Sequence, residues 1–145
     1  MMRVLLCLAA ALSLASPAHA KEVTIKMLNS GPEGMMIFSP AMVKIAPGDS
    51  VKFLPTNPSH NAESIPTMMP KGATAFKGKI NQAISVKFDK PGVYGIKCLP
   101  HYAMGMIALV QVGNKSPNLA EAKAAGAKLP GIAKKRMAPL LNSAQ

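Results

Sequence analysis

The chain has 145 residues, 49% of them apolar, with 17 Lys and Arg against 6 Asp and Glu, 3 His, 2 Cys and no Trp. That length allows one domain, and that apolar share excludes a disordered chain. The formal charge of +11 favours acidic partners, and two cysteines cannot staple a fold of this size, so multidomain enzymes, disulfide scaffolds and membrane bundles are excluded.

Residues 1–20 read as a secretory signal peptide, removed on export. Met1-Met2-Arg3 gives a positive start, Val4 to Ala15 is almost wholly apolar, and Ala18-His19-Ala20 is a small-x-small cleavage pattern. The apolar run is too short to span a bilayer, and no later run is longer. Cleavage after Ala20 leaves 125 residues, 21–145, as a single exported domain, expected to be monomeric and free in the periplasm. It removes Cys7 and His19, so the mature chain keeps Cys98, His60 and His101, with sixteen basic and six acidic residues. One unpaired thiol in an oxidising compartment needs an occupant.

From Glu22 to about Val112 the hydrophobic period is two. Val23, Ile25 and Met27 alternate with polar residues; Val51 and Phe53 flank Lys52; Ile84, Val86 and Phe88 alternate with Ser85 and Lys87. Tyr94, Ile96 and Cys98 take one face of a strand and Val93, Gly95 and Lys97 the other, while Met106 to Val112 is nearly continuous, as a central strand is. Turn signals at 29–32, 46–49, 55–59 and 89–92 separate these runs and predict an all-β antiparallel sandwich. Residues 63–81 break the rhythm and read as a long connection with a helical turn around 68–76. Beyond Gly113 a C-terminal helical appendix, 116–145, is expected, with Ser116 as N-cap ahead of Pro117. A second helix is expected over 132–141, ended or kinked by Pro139.

Chemistry concentrates in Cys98-Leu99-Pro100-His101-Tyr102-Ala103-Met104-Gly105-Met106, one loop between neighbouring strands, and in the Pro58-Ser59-His60-Asn61 turn. His60, Cys98, His101 and Met106 make a His₂Cys set with an axial thioether, the donor chemistry of blue-copper electron-transfer sites. The soft sulfurs suit Cu(I) and the imidazoles either oxidation state. Met104 is the poorer axial candidate by spacing. Zinc or a bare thiol is the alternative occupant, although structural zinc rarely takes a thioether. A Cys/His nucleophile would need a base and an oxyanion site, and no such set stands out. The tyrosines and phenylalanines offer no base-stacking platform, so nucleic acid is not an expected partner.

The Cys98-x-x-His101-x-x-x-x-Met106 loop with Ser59-His60-Asn61 upstream resembles the cupredoxins, the type 1 blue-copper family. Met27-Leu28-Asn29, Phe38-Ser39-Pro40, Ala46-Pro47-Gly48-Asp49 and His60-Asn61-x-Glu63-Ser64-Ile65 extend the likeness over the whole mature chain. The resemblance implies a Greek-key β-sandwich with two short C-terminal helices. It implies one copper ion, Cu(II)/Cu(I), on His60, Cys98, His101 and a long axial Met106. It further implies an electron carrier rather than an enzyme, transiently meeting acidic-surfaced redox proteins such as copper nitrite reductase in denitrification, or c-type cytochromes. Asn61 is expected to tie the His60 loop to the cysteine loop. Met36, Pro100 and Met104 are expected to surround the exposed His101 edge as a docking spot, inside a ring of Lys52, Lys77, Lys79 and Lys97. Leu99, Pro58 and Pro139 depart from the family pattern. A copper-trafficking module that hands over Cu(I) instead of electrons is the competing reading.

Overall fold

The computed structural model describes residues 19–145; the expected leader lies outside the described residues apart from His19 and Ala20. Eight strands form, β1 (Glu22–Gly31), β2 (Gly34–Ser39), β3 (Met42–Ile45), β4 (Ser50–Pro55), β5 (Glu63–Ser64), β6 (Ile84–Lys87), β7 (Gly92–Lys97) and β8 (Ile107–Val112). Two helices follow, α1 (Leu119–Gly126) and α2 (Gly131–Ser143). The strands make two four-stranded sheets, in the orders β2-β1-β4-β6 and β3-β8-β7-β5.

The sandwich closes as the alternation predicts. On β1, Ile25 and Met27 are buried between exposed Glu22, Thr24 and Lys26. The second sheet is covered on both sides, which is why β8 reads as an apolar run broken only by Gln111. Tyr94, Ile96, Ala108, Val110 and Val112 face the other sheet, joining Phe38, Phe53 and Phe88 in one core. Val93, Ile107 and Leu109 face the helices and meet Ala122, Ala133, Met137 and Leu141 in a second. Each buried aliphatic side chain contributes about 1.5–3 kcal/mol relative to exposure, so the helices form part of the fold rather than a loose appendix.

Several local expectations change. The pairing is mixed: β1 runs parallel to β4 and β3 parallel to β8, while the remaining ladders are antiparallel. After β2 the chain crosses to the other sheet for β3 and returns beside β1 in the same direction. The expected long connection contains β5 and a 3-10 turn at Pro66–Met68, earlier than 68–76, because Ser64 pairs with Ile96 and draws the segment onto β7. Ser116 does not cap α1. Asn118 precedes the helix instead, and its side-chain amide is spent on β7, accepting from Val93 N (2.9 Å) and donating to Val93 O (2.8 Å).

Pro139 does not end α2, which continues through it to Ser143. A proline there removes the donor for the Lys135 carbonyl. Pro139 and Lys135 are both exposed, while Met137 and Leu141, on either side, are anchored in the core. Packing of an i, i+4 stripe outweighs one missing hydrogen bond.

Candidate metal centre

His60 arrives on the connection after β4, and Cys98 and His101 on the loop from β7 to β8. The His60 loop is fastened from below. Asn81 N donates to His60 O (2.9 Å), Gly78 N to Ala62 O (2.8 Å), and Ser59 N to Asn81 Oδ1. The cysteine loop closes on itself: Cys98 N donates to Met106 O (3.0 Å) and Met106 N to His101 O (3.2 Å). Gly105 turns the chain at φ +85°, where an added Cβ would lie 2.5 Å from Ile132 Cγ2 on α2. Glycine is required there on both counts.

These loops aim three donor atoms at one another. His60 Nδ1 and His101 Nδ1 are 3.1 Å apart, and Cys98 Sγ lies 3.8 and 3.5 Å from them. A point equidistant from all three sits about 2 Å from each, the length of metal–nitrogen and metal–sulfur bonds. Two imidazoles and one thiol in a triangle of that size fit a His₂Cys copper site. His60 and Cys98 are fully buried and His101 is half-buried. Met106 is fully buried in the same hydrophobic cluster as Cys98, with partly buried Met36 packed against it.

The ring of His60 is fixed by Asn29, whose Oδ1 is 2.8 Å from His60 Nε2. The amide oxygen can only accept, so Nε2 carries the proton and Nδ1 keeps its lone pair for the centre. Burial, reinforced by the neighbouring His101, holds the His60 imidazole below its usual basicity and so neutral. Burial likewise pushes the Cys98 thiol up, against the pull of the Asn61 and His101 backbone N–H groups. A cation at the triangle supplies what this desolvated sulfur lacks to ionise.

Asn61 bridges the two loops. Its Oδ1 accepts from Leu99 N (2.8 Å), and its Nδ2 donates to Gly78 O (3.0 Å) and Glu63 Oε2 (3.2 Å). Glu63, also buried, pairs with Lys97 Nζ at 3.3 Å. Lys97 in turn lies 5.0 Å from the centre of the Tyr102 ring. From the far side, α2 reaches in with Arg136: Nη1 donates to Met36 O (3.0 Å) and Gly105 O (3.1 Å), and Nη2 to Met35 O (3.0 Å).

Of the expected docking residues, Pro100 is exposed and Met104 is 44% exposed, beside Leu99 at 48%. Met36 is half-buried at φ +49°. Lys77 and Lys79 are exposed on the connection after β5, Lys97 is half-buried at the end of β7, and Lys52 lies within β4 between Thr24 and Ser85. Sequence alone assigns no role at the centre to three contributors: Asn29 and Glu63, which stand only within the motifs of the resemblance, and Arg136. Asn29 was hidden inside a turn signal. Arg136 carried a faint mark as the one arginine among lysines after residue 3.

Residues 25–113 match the family of copper binding proteins described as plastocyanin/azurin. The chain is 59% identical over 116 residues to a pseudoazurin of Methylorubrum extorquens, covering 80% of this chain and 78% of that one. It is 47% identical over 129 residues to the pseudoazurin of Paracoccus pantotrophus, covering 89% and 88%. The crystal structure of pseudoazurin from Methylobacterium extorquens AM1 superposes with a TM-score of 0.81 at 54% identity, over 86% of this chain and 99% of that one. Pseudoazurin from Hyphomicrobium denitrificans gives 0.80 at 42% identity, over 86% and 98%. With that likeness and that donor triangle, the chain belongs to the plastocyanin/azurin family of copper binding proteins, in its pseudoazurin branch, whose members carry electrons on one copper ion and are not enzymes.

Proposed function

We propose that residues 21–145 form a diffusible one-electron carrier of the periplasm, exported by the leader over 1–20, with His60, Cys98, His101 and Met106 as the copper ligands. The observation that carries this reading is the His60–Cys98–His101 triangle, preset by hydrogen bonds to both loops. Copper bound there supplies the reversible Cu(II)/Cu(I) couple. The chain supplies rigidity: Asn29 fixes the His60 ring, Asn61 locks the two loops together, and Gly105 seats the Met106 end of the loop against α2. Ligands held in one compromise geometry need little rearrangement when the charge changes, which favours rapid transfer.

His101, the least buried of the three donors, presents its outer edge near exposed Leu99, Pro100, Ala103 and Met104. A small apolar contact ringed by charge suits a partner that must bind and leave. The lysines and a mature formal charge of +10 favour an acidic-surfaced redox protein such as copper nitrite reductase. A trafficking protein needs ligands that open to release metal; here His60, Cys98 and Met106 are buried and the His60 ring is braced by Asn29.

The test is spectroscopic and kinetic. Copper-loaded protein is expected to show an intense visible thiolate band that bleaches reversibly on reduction, and Cys98→Ser is expected to abolish it. Association with a copper nitrite reductase is expected to slow steeply with added salt. A colourless protein that binds and readily exchanges Cu(I) would overturn the carrier reading.

A further inference from the structure

Glu63 is a buried carboxylate beside the centre that donates no ligand atom, and its surroundings form a continuous path. Lys97 Nζ pairs with Glu63 Oε1 at 3.3 Å, and Glu63 Oε2 accepts from Asn61 Nδ2 at 3.2 Å. Asn61 Oδ1 then accepts from Leu99 N, the residue after Cys98, at 2.8 Å. Glu63 and Lys97 also face each other directly across the β5–β7 ladder, so their spacing is set by the sheet. The carboxylate side chain is 9% exposed and the lysine 20%, so one member of the pair is shielded and the other reaches water. On its other side β5 meets Lys77, whose exposed side chain is the remaining cation bordering Glu63 in the described sheet.

We propose that Glu63 and Lys97 form a charge couple that sets the electron affinity of the Cys98 site, and that an acidic partner engaging Lys97 lowers it. The inference rests on the carrier reading above. A buried negative charge beside the thiolate favours the more positive, oxidised state of the centre, and the ammonium offsets it. Through Asn61, the Glu63 carboxylate is linked to the N–H of Leu99, the residue that follows the sulfur ligand. A partner carboxylate placed on Lys97 cancels part of the offset, leaving Glu63 less compensated. The carrier then releases its electron more readily while docked than while free. This gives docking an effect on the redox equilibrium as well as on orientation.

The experiment measures midpoint potentials of copper-loaded wild type, Glu63→Gln, Lys97→Gln and the double variant by protein voltammetry at low salt. Glu63→Gln is expected to raise the potential and Lys97→Gln to lower it, with the double variant between them. Each single shift is expected to change the ratio of reduced to oxidised protein at fixed potential about threefold, or about 28 mV at 59 mV per decade. Polyglutamate, as the acidic probe, is expected to lower the wild-type potential and to leave Lys97→Gln unmoved. Shifts of the same sign, no shift, or an equal polyglutamate effect on Lys97→Gln would overturn the couple. The Leu99 amide resonance reports whether Asn61 keeps its place, separating a change of field from a displaced loop. Should Glu63→Gln not fold, Lys97→Gln with and without polyglutamate decides alone. An unshifted potential in a coloured wild type removes only the couple, whereas a colourless wild type removes the carrier reading itself.

Discussion

Replacing Arg136 by Met tests whether the C-terminal helix holds the metal centre together. The guanidinium makes three hydrogen bonds, to the carbonyls of Met35, Met36 and Gly105, which lie 101, 100 and 31 positions away along the chain. Hydrogen bonds involving a charged partner contribute about 1.5–3 kcal/mol each. Met35 is 63% exposed, so water can take over its carbonyl, and the loss rests mainly on Met36 and on buried Gly105. Two such bonds amount to about 3–6 kcal/mol, and because Arg136 and Met36 are only half-buried water recovers roughly a third, leaving about 2–4 kcal/mol, with Met preserving the packing of the aliphatic stem. For a domain of this size the melting temperature is expected to fall by about 8–16 °C. Lysine cannot span three carbonyls with one point charge and is expected to recover less than half. The assay is thermal unfolding of metal-free protein, so that copper binding does not mask the change. Amide exchange at Met106 is read in parallel, since its N–H bond to His101 closes the loop that Gly105 anchors. A melting temperature within about 2 °C of wild type, with unchanged Met106 exchange, refutes the clamp.

Asn29→Ala frees the His60 ring and is expected to weaken copper binding about 10–100-fold in competition with a chelator, without unfolding the chain. Gly105→Ala places a Cβ 2.5 Å from Ile132 Cγ2 at φ +85° and is expected to destabilise by at least about 1–2 kcal/mol in urea titration. Adding Ile132→Ala should return the steric part and leave the backbone part. The Asp49 carboxyl is held below its usual value of 3.8, first by the Lys21 N–H and then by the Ala46 N–H. Its folded pKa is depressed, so its stabilisation is present above pH 3.8 and is lost as pH falls through the lower folded value. Asp49→Asn should therefore flatten the stability–pH profile in that acid range, measured by unfolding at stepped pH.

The sequence by itself determined the strand faces and the residues that bear the chemistry. The two-residue period of Tyr94, Ile96 and Cys98 against Val93 and Lys97 assigns them to opposite sides, and the structure buries the first three in one core and Val93 in the other, with Lys97 half-buried at the strand end. The nearly continuous apolar run from Ile107 to Val112, with Gln111 its one polar residue, marks a strand covered on both faces. Such patterns are local: a side chain's face follows from its neighbours two residues away. The loop from Cys98 to Met106 was legible for the same reason, since its ends lie on adjacent strands.

Tertiary structure alone decided which distant groups meet. His60 reaches Cys98 because β5 pairs with β7, and Asn29 reaches His60 because β1 runs beside β4. The parallel ladders, the survival of α2 through Pro139, the Glu63–Lys97 pair and the Arg136 clamp share that origin. Each depends on where the chain crosses between sheets and on packing that outweighs a local preference. No spacing within one segment of sequence encodes that geometry.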